Sequence, residues 1–117
     1  TLAGKIKDPK DLNNENIVKV ITNKNLNIDD DFYEAKNFLR KSSEIANIYH
    51  HVGIYCYSTD TLEKFVQLNQ SKNEIQYRLE QLRALDNDIE INVSLAPVTS
   101  SGLIFLTFNK EILCLSE

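Results

Sequence analysis

The strongest constraint on the fold is a strand pattern that is followed closely by a helix pattern. From His51 to Tyr57 apolar and aromatic residues run together, and polar turn and cap residues end the run, which is typical of a buried strand. Between Ser71 and Leu85 the apolar residues recur at helical spacing and predict one stripe on an amphipathic helix. These residues are Ile75, Leu79, Leu82 and Leu85. Since each element has an apolar surface to bury, we expect the helix to pack against the strand.

Helix-start signals indicate where two helices begin. Ser71 and Glu74 fit a capping box at the start of the helix that carries the stripe. Asp60, with Glu63 three residues later, predicts an N-cap for a preceding helix within residues 58–68. The buried face of that preceding helix is predicted to contain Leu62, Phe65 and Val66.

A further helix is predicted earlier in the chain, over residues 29–41. Acidic residues open this segment and basic residues close it, an arrangement that complements a helix dipole. Phe32, Ala35 and Leu39 recur at helical spacing and predict its buried face.

Two strands are predicted on either side of these helices. Residues 17–21 are a short β-branched run in which Lys19 interrupts the apolar residues. Lys19 is expected to face solvent, with a ligand as the alternative. Apolar and polar residues alternate from Ile89 to Leu95, which predicts a half-buried strand.

Composition restricts the functional class. The 117 residues are enough for one domain, and 42% hydrophobic with 26% charged residues is ordinary for a soluble globular protein. The net charge of −4, with scattered basic residues, argues against nucleic-acid or membrane-surface binding. Cys56 and Cys114 lack metal-ligand spacing, which indicates reduced thiols of a cytosolic protein. A cytoplasmic location is therefore expected.

Several of these stretches also match an ordered set of family motifs. His51 to Tyr57 reads H-x-G-I-Y-x-Y, Glu74 to Leu85 contains L-E-Q-L-R-A-L, and Ile89 to Val93 reads I-x-I-x-V. Upstream, residues 1–3 and 16–20 are similar to the family's T-L-A and N-x-V-K-V stretches. Together they resemble the C-terminal half of 3-deoxy-manno-octulosonate cytidylyltransferase, the CMP-Kdo synthetase.

The resemblance implies an α/β fold. It would be part of a nucleotide-diphospho-sugar transferase-like (Rossmann-like) three-layer sandwich with a mixed sheet, and residues 1–117 would be a single C-terminal part of that domain. Residues 24–45 and 103–117 diverge from the family. In the first region the family has a strand with a Y-F-S-R motif, and its arginine has no clear counterpart here. In the second, Ile104 stands where the family has an aspartate that holds Mg²⁺.

The resemblance also implies an activity. The family transfers CMP from CTP to Kdo for lipopolysaccharide biosynthesis, uses Mg²⁺ and forms homodimers. The family's phosphate-binding loop and its other metal-binding aspartate would lie upstream of Thr1, so no complete Mg²⁺ site is expected in this chain. We therefore expect the chain to carry the sugar-binding and dimer-forming part, without activity of its own. The alternative is a non-catalytic remnant or dimerisation module.

Four residues are implied to line the Kdo pocket, namely His51, Tyr55, Glu80 and Gln81. Kdo is a polyhydroxylated acid, so its site needs hydrogen-bond donors and acceptors on rigid elements. Taken without the resemblance, His51 is a structural histidine with local hydrogen bonds, and Glu80 is a solvated helix residue. The resemblance favours the binding role for both, and no catalytic residue or metal ligand is assigned.

Overall fold

The computed structural model describes residues 1–27, 29 and 32–96, together with the backbone of 113–116. This part of the chain forms strands, α-helices and one 3-10 helix (Pro9–Asn13), with the three α-helices between β5 and β6. The strands are β1 (Leu2–Gly4), β2 (Lys19–Thr22), β3 (Tyr33–Leu39), β4 (Ile48–Val52), β5 (Ile54–Tyr57), β6 (Asn92–Leu95) and β7 (Leu113–Ser116). The helices are α1 (Thr59–Val66), α2 (Lys72–Tyr77) and α3 (Gln81–Leu85).

A mixed sheet forms the centre of the fold. Five strands follow one another in the order β1-β4-β2-β3-β6, and the sheet closes because β6 also pairs with β1. The β1–β6 pairing is parallel and the other four pairings are antiparallel. Strand β5 lies outside this sheet and pairs antiparallel with β7. The predicted combination of helices with a mixed sheet is confirmed.

The segment predicted as a helix over residues 29–41 contains strand β3, so that prediction is wrong. A bulge explains why its sequence imitates a helix. Asn37 and Ala35 pair with consecutive residues of β2, which leaves Lys36 as an extra residue. As a result Ala35 and Phe38, three positions apart, are both buried, at 2% and 1% exposure.

The strand predicted from His51 to Tyr57 is two strands. Strand β4 ends at Val52 and pairs with β1 and β2, whereas β5 begins at Ile54 and pairs with β7. His51 and Tyr55 therefore lie on two different strands, and not on the single strand that was predicted. Their rings are nevertheless neighbours, with centroids 5.4 Å apart.

The helix predicted over residues 71–85 is also divided. The capping box of Ser71 and Glu74 is confirmed at the start of α2. Arg78 then adopts a left-handed conformation, with φ 54° and ψ 47°, and this ends α2 before α3 begins. The predicted stripe does not hold throughout the two helices, since Ile75 on α2 is 62% exposed.

The N-cap of helix α1 is two residues earlier than the predicted cap, Asp60. Ser58 is the N-cap, and its hydroxyl accepts a hydrogen bond from the Thr61 amide. Asp60 lies in the first turn instead of at the cap, which corrects the prediction. Phe65 is buried as predicted, whereas Val66 is 67% exposed.

The core lies between the closed sheet and the α2–α3 region. Its buried members include Val20, Phe38, Leu79, Leu82 and Val93. Leu82 is 4% exposed, so its predicted place in the core is confirmed.

Lys19 corrects another prediction, because its side chain is fully buried. Its Nζ donates hydrogen bonds to the carbonyl oxygens of Asn14 and Arg40, at 2.7 and 2.6 Å. These two carbonyls replace water around the ammonium group. Burial lowers the pKa of Lys19 below its ordinary value.

Among the described residues, no helix is long and apolar enough to cross a membrane. Ile104 and the apolar tail around it lie outside the described residues.

Candidate functional site

A cavity of about 530 Å³ opens beside β5. Its walls come from β5, α1, α3 and the segment that leads into β6, and most of the lining is apolar. Phe32 and Phe65 contribute rings to the wall, and Ser58 and Thr61 contribute hydroxyl groups. The cavity is large enough for a small ligand and carries few polar groups to orient one.

Two of the four predicted sugar-binding residues line this cavity. Tyr55 reaches it from β5 and Gln81 from the first turn of α3. Both side chains belong to buried residues, at 9% and 6% exposure. The primary amide of Gln81 can donate and accept hydrogen bonds, so it can bind a ligand hydroxyl or carboxylate. The hydroxyl oxygen of Tyr55 is itself buried.

His51 lies behind the cavity wall, against the ring of Tyr55. Its Nε2 is 2.9 Å from the Thr1 hydroxyl oxygen, and that hydroxyl donates its proton to the Ile54 carbonyl at 2.7 Å. Because the Thr1 hydroxyl has only one proton, His51 Nε2 must be the donor in their hydrogen bond. Burial, with smaller contributions from the positively charged amino terminus and His50, lowers the pKa of His51 to about 4. The imidazole is therefore neutral at pH 7.

Glu80 is separate from the other three. Its side chain is 55% exposed and its carboxylate lies 3.7 Å from Arg83 Nη2. It is the residue just before α3 and does not line the cavity. The structure thus brings His51, Tyr55 and Gln81 to one region and leaves Glu80 at its exposed margin. Their shared role in Kdo binding stays a prediction.

A row of aromatic rings crosses the site, and the sequence analysis did not identify it. The centroid distances are 5.1 Å from Phe38 to His51, 5.4 Å from His51 to Tyr55, 6.1 Å from Tyr55 to Tyr57 and 5.9 Å from Tyr57 to Phe65. The row runs from the sheet core along β5 to α1. Tyr55 and Tyr57 alternate along β5, and Phe65 is the buried residue of α1. Aromatic residues at strand spacing, followed by one on the buried face of a helix, were therefore the sequence signal that could have identified the row.

The row ends at an ion pair between α2 and α3. The guanidinium of Arg83 lies 5.0 Å from the centroid of the Phe65 ring. Two nitrogens of the same guanidinium donate to the two carboxylate oxygens of Glu74, with Nε to Oε2 at 2.8 Å. Hydrogen bonding from Arg83 holds the pKa of the Glu74 carboxyl below its usual range, although burial opposes the shift.

Comparison with known proteins bears on this site. No protein-family model matches the chain. The 3-deoxy-manno-octulosonate cytidylyltransferase of Bartonella bacilliformis is 38% identical over 105 residues, which are 88% of this chain and 42% of that protein. The enzyme of the same name from Thermodesulfovibrio yellowstonii is 38% identical over 108 residues, with the same coverage. A solved structure of CMP:2-keto-3-deoxy-manno-octonic acid synthetase complexed with CTP superimposes with a TM-score of 0.69 at 30% identity.

The chain is a partial relative of the CMP-Kdo synthetases. The resemblance predicted from its motifs is confirmed, and so is the nucleotide-diphospho-sugar transferase-like fold, because the superposition covers 88% of this chain. The chain spans 42% of the length of each of these relatives.

Strand β3 lies in the region where the family resemblance implied a strand with a Y-F-S-R motif, and where the residues themselves predicted a helix. Arg40 follows the end of β3 at Leu39, and it is not assigned to the arginine of that motif. In this structure the Arg40 guanidinium donates to the carbonyl oxygens of Glu15, Tyr77 and Arg78, at 3.0, 3.0 and 2.7 Å. It therefore caps the end of α2.

The Mg²⁺ that the family resemblance implies would need oxygen ligands. Within residues 1–27, 29 and 32–96, no group of three or more His, Cys, Asp or Glu residues is placed to hold a metal ion. No residue of this part of the chain is assigned as a ligand.

Proposed function

We propose that this chain supplies the sugar-binding and dimer-forming part of a 3-deoxy-manno-octulosonate cytidylyltransferase, which transfers CMP from CTP to Kdo for lipopolysaccharide biosynthesis in the cytoplasm. The observation that carries the proposal is the cavity that Tyr55 and Gln81 both line, with the His51 ring against the Tyr55 ring. These are residues that the family resemblance assigned to the sugar.

Each member of the wall suits a polyhydroxylated acid. The Gln81 amide can donate to the sugar carboxylate or accept from a hydroxyl, and Tyr55 borders the same cavity. Neutral His51 supports the Tyr55 ring from behind without bringing a positive charge into the core. Glu80, at the exposed margin, can accept a hydrogen bond from a sugar hydroxyl that projects out of the cavity.

In the proposed reaction the anomeric hydroxyl of Kdo attacks the α-phosphate of CTP, and pyrophosphate leaves. Mg²⁺ supplies charge neutralisation in such a transfer. The contribution of this chain is to bind the sugar acid and orient its reacting hydroxyl, which reduces the entropy cost of the reaction. CTP and Mg²⁺ would be held by the part of the longer relatives that this chain does not span.

Direct titration of the chain with Kdo tests the proposal. Saturable binding is expected, and Gln81→Leu should weaken it by about tenfold, because a buried ligand group would lose its hydrogen bond at a cost of ~1–3 kcal/mol. Gln76→Leu is the matched control, since Gln76 lies exposed on α2. Absence of binding to the unsubstituted chain, or equal affinities of both variants, would contradict the proposal.

Catalysis requires a separate assay. The chain alone, with CTP, Kdo and Mg²⁺, is expected to release no pyrophosphate above background. Pyrophosphate release by the purified chain would show that the division into a sugar-binding and a nucleotide-binding part is wrong.

Exposed apolar side chains favour the dimerisation module as a second candidate function. Phe32, Val66 and Ile75 are 64%, 67% and 62% exposed, and a second copy of the chain could cover them. Sedimentation equilibrium should then detect a dimer that Ile75→Lys or Val66→Lys weakens. A monomer at all concentrations would exclude this candidate, and it would leave the Kdo titration as the test of the first.

A further inference from the structure

Arg83 connects its own helix, α3, to the two helices that precede it. Arg83 itself belongs to α3, its guanidinium forms two hydrogen bonds with Glu74 of α2, and the same group lies over the Phe65 ring of α1. The Arg83 side chain is only 14% exposed and that of Glu74 only 6%. The geometry therefore differs from that of a solvated surface ion pair, in which both side chains move freely.

The Glu74 carboxylate is fixed by more than Arg83. It also accepts hydrogen bonds from the Ser71 amide at 3.1 Å and from Gln70 Nε2 at 3.3 Å. The hydrogen bond from the Ser71 amide is part of the capping box, so the carboxylate cannot rotate without disturbing the start of α2. A guanidinium held at Nε and Nη2 by such a carboxylate has one orientation. The guanidinium carbon is thereby held 5.0 Å from the centroid of the Phe65 ring.

Phe65 in turn belongs to the wall of the cavity. It contacts Tyr57, and Tyr57 contacts Tyr55, with centroid distances of 5.9 and 6.1 Å. All three rings line the cavity, whereas Arg83 does not. The guanidinium of Arg83 therefore reaches the cavity lining through the Phe65 ring.

We propose that Arg83 is a positioning residue for ligand binding, which holds the aromatic wall of the cavity in place through Phe65. The part of this inference that concerns the sugar acid rests on the proposed function. The part that concerns the placement of the rings does not.

Arg83→Met is the central variant, because methionine keeps an unbranched apolar stem and removes the guanidinium. Arg78→Met is the matched control. Arg78 is exposed, and among the described residues its guanidinium forms no hydrogen bond with α1 or α3. Arg83→Lys keeps the positive charge over Phe65 but cannot make the two-pronged hydrogen bond to Glu74. It serves as the second variant should Arg83→Met fail to fold.

Two readouts are measured on the folded variants at the same temperature. The first is the set of ring-proton chemical shifts of Phe65, Tyr57 and Tyr55, and the second is the affinity for Kdo. We expect Arg83→Met to shift all three ring signals and to weaken Kdo binding by about threefold or more, a change in the range of one cation–ring contact. Arg83→Lys should give smaller changes in the same direction, and Arg78→Met none.

A purely structural role would lower the unfolding temperature of Arg83→Met while the native ring signals of Tyr57 and Tyr55 stayed unchanged, and that result would overturn the proposal. Unchanged Kdo affinity with shifted rings would overturn its binding part. If the unsubstituted chain does not bind Kdo, the proposed function fails, and the ring signals still decide whether Arg83 positions the wall.

Discussion

The buried ammonium group of Lys19 lies 2.6 Å from the backbone carbonyl oxygen of Arg40. This hydrogen bond connects β2 to the residue that follows β3. The Arg40 side chain continues the connection, because its guanidinium donates to the carbonyls of Tyr77 and Arg78 where α2 ends. Two cations thus join the sheet to the turn that precedes Glu80 and Gln81.

Lys19 should make stability rise at alkaline pH. Burial lowers its pKa in the folded state below the value of 10.5 that an accessible lysine has, so the unfolded chain binds more protons between the folded value and 10.5. The free energy of unfolding should therefore increase with pH across that window. Urea denaturation at several pH values would measure it, with Lys19→Met as the reference in which this increase is absent. An equal pH dependence in both proteins would contradict the assignment.

His51 should make the protein less stable in mild acid. Its folded pKa of about 4 lies below the ordinary value of 6.5, so the unfolded state takes up a proton first as the pH falls. The resulting stability is complete above pH 6.5 and is lost between pH 6.5 and 4, by on the order of 3 kcal/mol. His51→Gln should remove this pH dependence. His50→Gln should retain it, because His50 is exposed on the same strand.

Leu82→Ala should destabilise the fold by about 2–5 kcal/mol, since the substitution leaves a cavity among buried residues. Ile75→Ala is the control on the same predicted stripe, and it should change stability by less than about 0.5 kcal/mol because Ile75 is largely exposed. Chemical denaturation of the two variants gives the comparison. Equal losses would show that the α2–α3 division is incorrect.

Ser58→Ala should cost about 1 kcal/mol, because the Thr61 amide loses its capping hydrogen bond at the start of α1. Asp60→Ala should cost less, since Asp60 acts only through the charge that it places in the first turn. Thermal unfolding can rank the two variants. If Asp60→Ala is the more destabilising, the cap predicted from the sequence is the correct one.

Local chemistry was readable from the sequence wherever a feature depends on neighbouring residues. The capping box of Ser71 and Glu74 needs only a hydroxyl and a carboxylate three positions apart, so it was predicted and is present. Leu82 was placed in the core because leucine at the centre of an apolar stripe is rarely exposed. The family motifs likewise depend on order along the chain, and they led to the correct relatives.

The tertiary structure decided the features that depend on residues far apart in the chain. The bulge at Lys36 buries Ala35 and Phe38 together, and this gave a strand the spacing of a helix. The buried ammonium group of Lys19 depends on the carbonyl oxygens of Asn14 and of Arg40, and the second of these comes from 21 residues further along the chain.

The candidate site follows the same division. Motifs in the sequence pointed to His51, Tyr55, Glu80 and Gln81 as candidate residues, but only the packing of α1 and α3 beside β5 placed Tyr55 and Gln81 on one cavity wall and left Glu80 outside it. Residue type and spacing determine which chemistry a chain can offer. Which of those groups meet is determined by long-range burial, because the apolar surfaces of separate elements find their lowest free energy only when packed together.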